Sequence, residues 1–235
     1  MKLLTQINHK INKSNKSGKG YFTKILHLSP YTLSKCGNTC PNSTKGCRAS
    51  CLNKSGHGVY LRVQEARIKR TKMFFQNPEE FRLQLLSEIE DAEIKAKKLG
   101  VQLAIRLNGT SDIAWEEYFP EIFILFPKVQ FYDYTKIFRR LLDNRFKNYY
   151  LTYSRSEVDS DKLIKIILGM KKNVAVVYQV NRSKSLPKKD PVFGKIVDGD
   201  KDDLRFLDKK GIVVGLRTKG RGRKDKSGFV INIKG

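Results

Sequence analysis

Short apolar runs that alternate with helical patterns are the feature that most restricts the folds open to this chain. Seven such runs follow one another after residue 100, at 102–107, 129–134, 149–153, 174–180, 195–197, 212–216 and 229–233. The run VAVVYQV at 174–180 is apolar almost throughout, as is typical of a strand covered on both faces. Helical patterns lie between the runs, at 118–126, 136–144 and 160–169. The alternation predicts an α/β fold with parallel strands, and the number of strands favours a complete or partial TIM-type (β/α) barrel over a doubly wound sheet.

The chain ahead of residue 100 adds three more elements and a basic segment. A strand candidate and two helical patterns are found there, at 21–28, 60–76 and 78–99. Residues 8–20, NHKINKSNKSGKG, are basic and poor in apolar side chains. We therefore predict a flexible basic arm over 1–20 and a single α/β domain over 21–235, with a cysteine loop at 36–51.

That loop holds all four cysteines of the chain, with the spacing C-x3-C-x6-C-x3-C. In a reducing compartment, clustered cysteines are more typical of metal ligands than of disulfides. We predict that four thiolates bind one four-iron cluster, and zinc is the alternative, although zinc usually selects C-x2-C pairs. The predicted ligands are Cys36, Cys40, Cys47 and Cys51. A cluster for radical chemistry would use three cysteines and leave one iron open, but its usual C-x3-C-x2-C pattern is absent, so a closed structural cluster is expected.

The charge balance predicts a polyanionic partner. The chain carries 47 Lys and Arg against 23 Asp and Glu, a net charge of +24. Nucleic acid is the commonest partner of such a field, because each neutralised phosphate releases a counterion. We expect DNA rather than RNA, although a lysine-rich composition without a function is the alternative. The residues predicted to contact it are Lys45, Arg48, Arg62, Arg67, Arg70, Lys219, Arg221 and Arg223.

Five aspartates fall within or just past predicted strands of this otherwise basic chain. They are Asp112, Asp133, Asp198, Asp200 and Asp203. Because working residues of α/β folds sit past the carboxyl ends of strands, we expect these acids to face one site. Converging carboxylates can hold Mg²⁺ or Mn²⁺ for phosphodiester hydrolysis, and Lys136 and Arg155 are predicted to stabilise the phosphate charge. The alternative is that each aspartate caps a helix or pairs with a neighbouring Arg or Lys.

Two tyrosines offer a different catalytic hypothesis. Tyr132 or Tyr134, beside carboxylates and a lysine, could attack a phosphodiester as nicking enzymes do. Packing within a strand is the simpler explanation, and the His-hydrophobe-His motif of many tyrosine nickases is absent.

Several longer motifs resemble the phage family called "gene product eighty-eight". The motifs are the cysteine loop, RLNGTSDIAWE (106–116), FYDYTK (131–136), LTYSRSE (151–157), VAVVY (174–178), DGDKDDLRFLD (198–208) and GLRTKG (215–220). The resemblance covers nearly the whole chain beyond the arm. It implies a phage or mobile-element origin and a four-cysteine loop ahead of an α/β body, and it assigns no catalytic residue. The architecture is also similar to the partial barrels of radical-chemistry enzymes.

These observations predict a nucleic-acid-acting protein, specifically a metal-dependent DNA nuclease or nickase with a structural iron–sulfur cluster. One alternative is a non-catalytic DNA- or RNA-binding protein for phage replication or host takeover. Another is a radical enzyme that modifies nucleic acid. No apolar run approaches the roughly 20 residues of a membrane span, and no signal peptide is visible, so a cytoplasmic location is expected, in the host if the protein is phage-encoded.

Overall fold

Ten strands form one sheet in the computed structural model, which describes residues 1–5 and 14–233. The strands are β1 (Leu4–Thr5), β2 (Tyr21–Leu26), β3 (Gln102–Arg106), β4 (Gln130–Thr135), β5 (Tyr149–Ser154), β6 (Val174–Tyr178), β7 (Lys189–Asp190), β8 (Gly194–Asp198), β9 (Val213–Arg217) and β10 (Val230–Ile231). Each of the eight runs predicted from the sequence overlaps one of these strands. The two that were missed, β1 and β7, are two residues long, which is too short for an alternating pattern to show.

The strand order is β1-β2-β3-β4-β5-β6-β9-β8-β7. Neighbours from β2 to β8 are parallel, and the end strands β1 and β7 are antiparallel to β2 and β8. The α/β prediction is therefore confirmed. A complete barrel is not confirmed, because no ladder in the described part of the chain joins β1 or β2 to β7 or β8 and closes the sheet.

β10 occupies an unusual place in this order. β5 pairs only with the start of β6, at Val174 and Ala175. β10 pairs with the end of β6, at Val177 and Tyr178, and runs parallel to it. Since β9 lies along the other edge of β6, β10 fills the gap on the β5 side.

Seven α-helices lie in the described residues, and four short 3₁₀ helices accompany them. The α-helices are α1 (Lys45–Ala49), α2 (Leu61–Gln76), α3 (Pro78–Lys98), α4 (Trp115–Tyr118), α5 (Glu121–Leu125), α6 (Phe138–Leu142) and α7 (Asp161–Gly169). The 3₁₀ helices are Leu52–Lys54, Gly56–Val59, Arg205–Leu207 and Gly220–Lys224. None of the helices described is of the length and apolarity that crossing a bilayer requires.

Both faces of the sheet are covered. Phe81, Leu85 and Ile89 of α3 belong to the largest apolar cluster, which includes Phe131 of β4. The next residue, Tyr132, points to the opposite face, as successive strand residues do, and there its ring lies 5.4 Å from that of Phe206. The carboxyl ends of the strands are therefore held between two packed layers.

The segment predicted as a flexible arm contacts the α/β body at two places. Leu3 and Leu4 are buried, and their backbone N–H groups donate to the Glu88 carboxylate of α3. Lys19 forms an ion pair of 2.7 Å with Asp202. Residues 6–13 of the arm lie outside the described residues, and the division into an arm and a domain stays a prediction.

Candidate functional site

A cavity of about 210 Å³ lies at the carboxyl ends of the parallel strands. Arg106 ends β3, Tyr134 lies near the end of β4, Ser154 ends β5, and Val177 and Arg217 lie near the ends of β6 and β9; all five line the cavity. Ligands of α/β sheets bind at this edge, because loops from several strands converge there. The cavity is therefore the primary candidate site.

Three of the four cysteines line the same cavity. Cys40, Cys47 and Cys51 contribute to its wall, whereas Cys36 does not. The Cys36 thiol instead donates to the Ser34 hydroxyl at 3.2 Å. The structure therefore separates Cys36 from the other three cysteines, although the sequence spacing gives no reason to distinguish them.

The cysteine loop is tied to two strand ends. The Thr39 backbone carbonyl accepts a hydrogen bond of 2.7 Å from the Asp112 N–H in the loop after β3. Glu157, in the loop after β5, accepts from the Gly46 N–H and the Thr44 hydroxyl, both at 2.7 Å. Thr44 is also the N-cap of α1, whose Cys47 N–H it binds. These contacts hold the thiols over the carboxyl ends of the strands.

The three cavity thiols influence one another electrostatically. Burial raises the pKa of Cys40 to about 11, and burial also raises the pKa of Cys47 and of Cys51. A Cys51 thiolate further raises the pKa of both other thiols, because like charges repel. The Lys136 ammonium opposes this at Cys47 and lowers its pKa. The thiols thus lie within electrostatic range of one another and of one buried cation.

A single-ion metal site is not found in the described residues: no group of three or more His, Cys, Asp or Glu side chains is arranged to hold a metal ion. All four cysteines are free thiols. A four-iron cluster and its zinc alternative therefore stay predictions. The three thiols of the cavity wall are the donors that fit a cluster, since thiolates are its usual ligands.

Four polar atoms in the cavity wall lack a hydrogen-bond partner in the part of the chain that is described. They are Ser43 Oγ, Ser50 Oγ, the Tyr134 hydroxyl and Thr218 Oγ1. Buried polar groups in folded proteins nearly always have a partner, because an unpaired group loses its hydration without compensation. The four residues surround one cavity, and each of these oxygen atoms is itself buried within the cavity wall.

The cavity wall is also positively charged. Its cations are Arg48, Arg106, Lys136, Arg217 and Lys219, and Asp112 is its one acid within the described residues. The Lys136 ammonium donates to the Ser154 carbonyl at 2.9 Å and the Arg155 carbonyl at 3.1 Å. Burial lowers the pKa of Lys136, while nearby acidic groups favour its charged form. This balance of charge suits an anionic ligand.

The predicted acids do not form a metal-binding group of three or more among the described residues; several of them position these cations instead. Asp198 forms an ion pair with Arg217 at 2.8 Å, and Asp200 forms one with Lys219 at 2.6 Å. Asp203 contacts Arg106 at 3.3 Å. The hydrogen bonds from Arg217 are the main reason that the pKa of Asp198 is lowered. These contacts match the alternative in which each acid pairs with a basic neighbour.

Asp112 belongs to a buried ion network. Its carboxylate binds Arg140 at 2.9 Å and accepts from the Lys136 backbone N–H at 2.8 Å. Arg140 also binds Glu116 at 2.6 Å. Burial raises the pKa of Asp112, although Arg140 acts in the opposite direction.

Asp133 lies directly behind the cavity wall. It is 1% exposed and accepts from the Asn108 N–H at 2.6 Å and the Tyr149 hydroxyl at 2.7 Å. Burial raises its pKa to about 7. Asp133 therefore positions Asn108, which lines the cavity, and does not itself face it.

The remaining predicted residues have separate places. Arg155 donates to the Gly228 carbonyl at 2.9 Å and so holds the segment before β10. Arg67 is buried against Asn53, and Arg70 donates to the Lys2 carbonyl, so neither is directed at a partner. Arg62 is exposed on α2, away from the cavity wall. Lys45, Arg221 and Arg223 line a second groove, whereas Arg48 and Lys219 line the cavity.

The two tyrosines also differ. Tyr132 is buried and its hydroxyl donates to Asp203 at 3.3 Å, while Tyr134 lines the cavity. Sequence reasoning missed Arg106 and Arg140. Arg106 carries a detectable signal, since an arginine closes the apolar run QLAI, whereas Arg140 is one of several basic residues in an ordinary helical pattern.

Comparison with curated proteins finds no match, and comparison with solved structures finds none either. A family model described as "Gene product 88" matches residues 2–233. That span includes the cysteine loop, every strand and the whole cavity wall. The resemblance drawn from the sequence motifs is thereby confirmed, and the chain belongs to the Gene product 88 family.

Proposed function

We propose that the protein is a nucleic-acid-modifying redox enzyme whose reaction centre is a four-iron cluster bound by Cys40, Cys47 and Cys51. The observation that carries this proposal is that these three thiols line the cavity and Cys36 does not. Three protein ligands would leave one iron of such a cluster without a cysteine ligand, and that iron could then bind a further group. The open cluster replaces the closed structural cluster as our preferred interpretation.

The surroundings of the thiols support an open centre. Ser43, Ser50 and Tyr134 line the same cavity, and their hydroxyls have no hydrogen-bond partner in the described part of the chain. Lys136 supplies positive charge at Cys47, whose pKa it lowers, and such a charge stabilises a thiolate. Clusters with an open iron supply radical chemistry when S-adenosylmethionine is bound, and this makes S-adenosylmethionine the first ligand to test.

Nucleic acid is the substrate class that the net charge of +24 favours. The competing proposal, a nuclease that holds Mg²⁺ or Mn²⁺ on strand-end acids, is weakened by the ion pairs that Asp198 and Asp200 form with Arg217 and Lys219. A non-catalytic binding protein is less well supported, because it gives no reason for unpartnered polar atoms beside three thiols.

The test is metal analysis of anaerobically reconstituted cysteine variants. Cys36→Ala should retain about four irons per chain and the brown colour of the wild type, because the proposed cluster does not use this thiol. Cys40→Ala, Cys47→Ala and Cys51→Ala should each lose the cluster. S-adenosylmethionine added to the reduced protein should change its electron paramagnetic resonance spectrum, since it binds the open iron.

Two outcomes overturn the proposal. Loss of iron from Cys36→Ala as complete as that from Cys47→Ala means that all four thiolates close the centre. Zinc in place of iron in the anaerobic preparation removes the redox chemistry. Cleavage of single-stranded DNA with Mn²⁺, abolished by EDTA and by Asp133→Asn, would support the nuclease instead.

A further inference from the structure

We infer that single-stranded nucleic acid binds along a basic groove beside the cavity, with its bases stacked on Tyr60. The basic groove is defined by the side chains of Lys45, Lys54, Arg221, Arg223, Lys224 and Lys226. The inference rests on the proposed function, because it supplies the path by which a substrate reaches the cluster.

The basic groove is a surface groove of about 860 Å³ whose charge is not compensated. None of its six cationic groups forms an ion pair with a described residue, and five of them are exposed. Asp225, the single acid in the described lining, is engaged with its own loop: it accepts from the Ser227 hydroxyl at 2.7 Å and the Val230 N–H at 3.0 Å. Six free cations along one groove match a run of phosphates, each of which releases a counterion on binding.

The basic groove leads into the cavity. Ser50 lines both, and its hydroxyl is one of the unpartnered atoms. Gly222, between the groove residues Arg221 and Arg223, lines the cavity, and a Cβ there would lie 2.8 Å from Thr218 Oγ1. The 3₁₀ helix Gly220–Lys224 is thus pressed closely against the cavity wall, so that the groove and the cavity share an edge.

Exposed apolar and aromatic side chains lie in the segment 52–60, which begins at this edge. Leu52 lines the cavity yet is 46% exposed, which places it at the mouth, and Lys54 two residues later lines the basic groove. His57 packs edge-on against Tyr60 with 5.6 Å between ring centroids, and Tyr60 remains 59% exposed. Tyr60 follows the groove residue Lys54 by six positions along the chain. Proteins bind single strands by stacking bases on exposed aromatic rings and contacting phosphates with basic grooves.

A single strand fits this surface better than a duplex. The faces of duplex bases are stacked on one another and cannot reach Tyr60. The cavity lies below the surface, and an enzyme that modifies a base must receive it unstacked from its neighbours. The single-stranded nucleic acid therefore enters along the groove, stacks a base on Tyr60 and presents one nucleotide at Leu52.

The test is fluorescence anisotropy with a labelled single-stranded oligonucleotide and the duplex of the same sequence. Arg221→Ala/Arg223→Ala should weaken single-strand binding by about tenfold or more and reduce its salt dependence. The matched control is Lys162→Ala/Lys165→Ala, which removes the same charge from the exposed face of α7 and should leave binding nearly unchanged.

Tyr60→Ala should weaken single-strand binding by about tenfold, whereas Tyr60→Phe, which keeps the ring, should bind like the wild type. Heparin is the polyanion without bases, and its binding should not respond to Tyr60→Ala. Equal losses in the groove variant and the α7 control would overturn the inference, because net charge alone would then explain binding. So would an unchanged affinity in Tyr60→Ala, or preference for the duplex.

These results are separable from the cysteine experiments. If Cys36→Ala loses its cluster but the groove and Tyr60 variants behave as expected, the proposed open cluster fails and the strand-binding surface stands. If the cysteine variants behave as expected but the groove variants bind single-stranded nucleic acid like the wild type, the proposed binding surface is wrong. The proposed cluster enzyme is then retained, and its substrate reaches the cavity by another path.

Discussion

Asp133 provides a quantitative test of how the cavity wall is held from behind. Its buried carboxylate accepts hydrogen bonds from the Asn108 N–H and the Tyr149 hydroxyl. Burial penalises the ionised form and raises the pKa from 3.8 to about 7, which the nearby Arg106 and the hydrogen bonds only partly oppose. Asp133→Asn removes the titrating group and keeps the size of the side chain.

The sign of the pH effect follows from the higher pKa in the folded state. Between about pH 4 and pH 7 the folded chain retains a proton that the unfolded chain has released. The corresponding stability is complete below this range and is lost as the pH rises through it. Each pH unit between the two pKa values corresponds to about 1.4 kcal/mol, so the full range amounts to about 4 kcal/mol.

Urea unfolding of the wild type and Asp133→Asn between about pH 4 and pH 8 measures this directly. The free energy of unfolding of the wild type, relative to that of the variant, should fall by about 4 kcal/mol over the range. Asp143→Asn is the control, since this acid is exposed and pairs with Arg139 at the surface, and its difference from the wild type should stay constant. Parallel profiles for Asp133→Asn and the wild type would refute the reasoning.

If Asp133→Asn does not fold, Tyr149→Phe tests the same arrangement from the other side. The Tyr149 hydroxyl donates to Asp133 and lowers its pKa. Its removal should move the pH range over which stability is lost to higher values. An unmoved range in Tyr149→Phe would show that another group governs the wild-type profile.

Two further predictions concern packing. Arg140→Met leaves the buried carboxylates of Asp112 and Glu116 without their cation. Chemical denaturation should therefore show that the free energy of unfolding falls by about 3–5 kcal/mol, and a fall below about 1 kcal/mol would contradict the ion network. Gly46→Ala places a Cβ 2.7 Å or closer to two side chains of the segment before β10. Thermal denaturation should therefore show that the free energy of unfolding falls by about 1–3 kcal/mol. Gly169→Ala, where a Cβ meets nothing within 4 Å, is the control, and equal effects at the two glycines would contradict the fit.

The strands could be predicted because apolar runs and turn residues are local signals. The run at 229–233 was recognised as a strand, yet its position beside β6 was not predictable, because register depends on which neighbour leaves an edge open. The arm over 1–20 was predicted from composition alone. Burial of Leu3 and Leu4 depends on Glu88 of α3, a partner more than 80 residues away.

The candidate site, too, could be predicted only in part from the sequence. Spacing indicated four equivalent cysteines, but Thr39, whose hydroxyl donates to the Ser29 carbonyl at 2.6 Å, fixes the chain beside Cys40. Lys35, just before Cys36, takes a left-handed conformation with φ of 62° and belongs to a separate turn. Asp112 and Asp200 were expected just past strands, and they follow the ends of β3 and β8. Their partners were not foreseen, because pairing across strands is set by the three-dimensional order and not by distance along the chain.

The insertion of β10 beside β6 imposes an order on biosynthesis. Phe229, immediately before β10, lines the cavity, and Val230 and Ile231 fill the edge that β5 leaves free. Both neighbouring strands leave the ribosome earlier, since chains fold from the N-terminal side during synthesis. The growing chain therefore exposes its thiols in an open cleft, and the cleft gains its last wall only when residue 231 has been added. The cavity is accordingly completed late in biosynthesis, after the first strands of the sheet have folded.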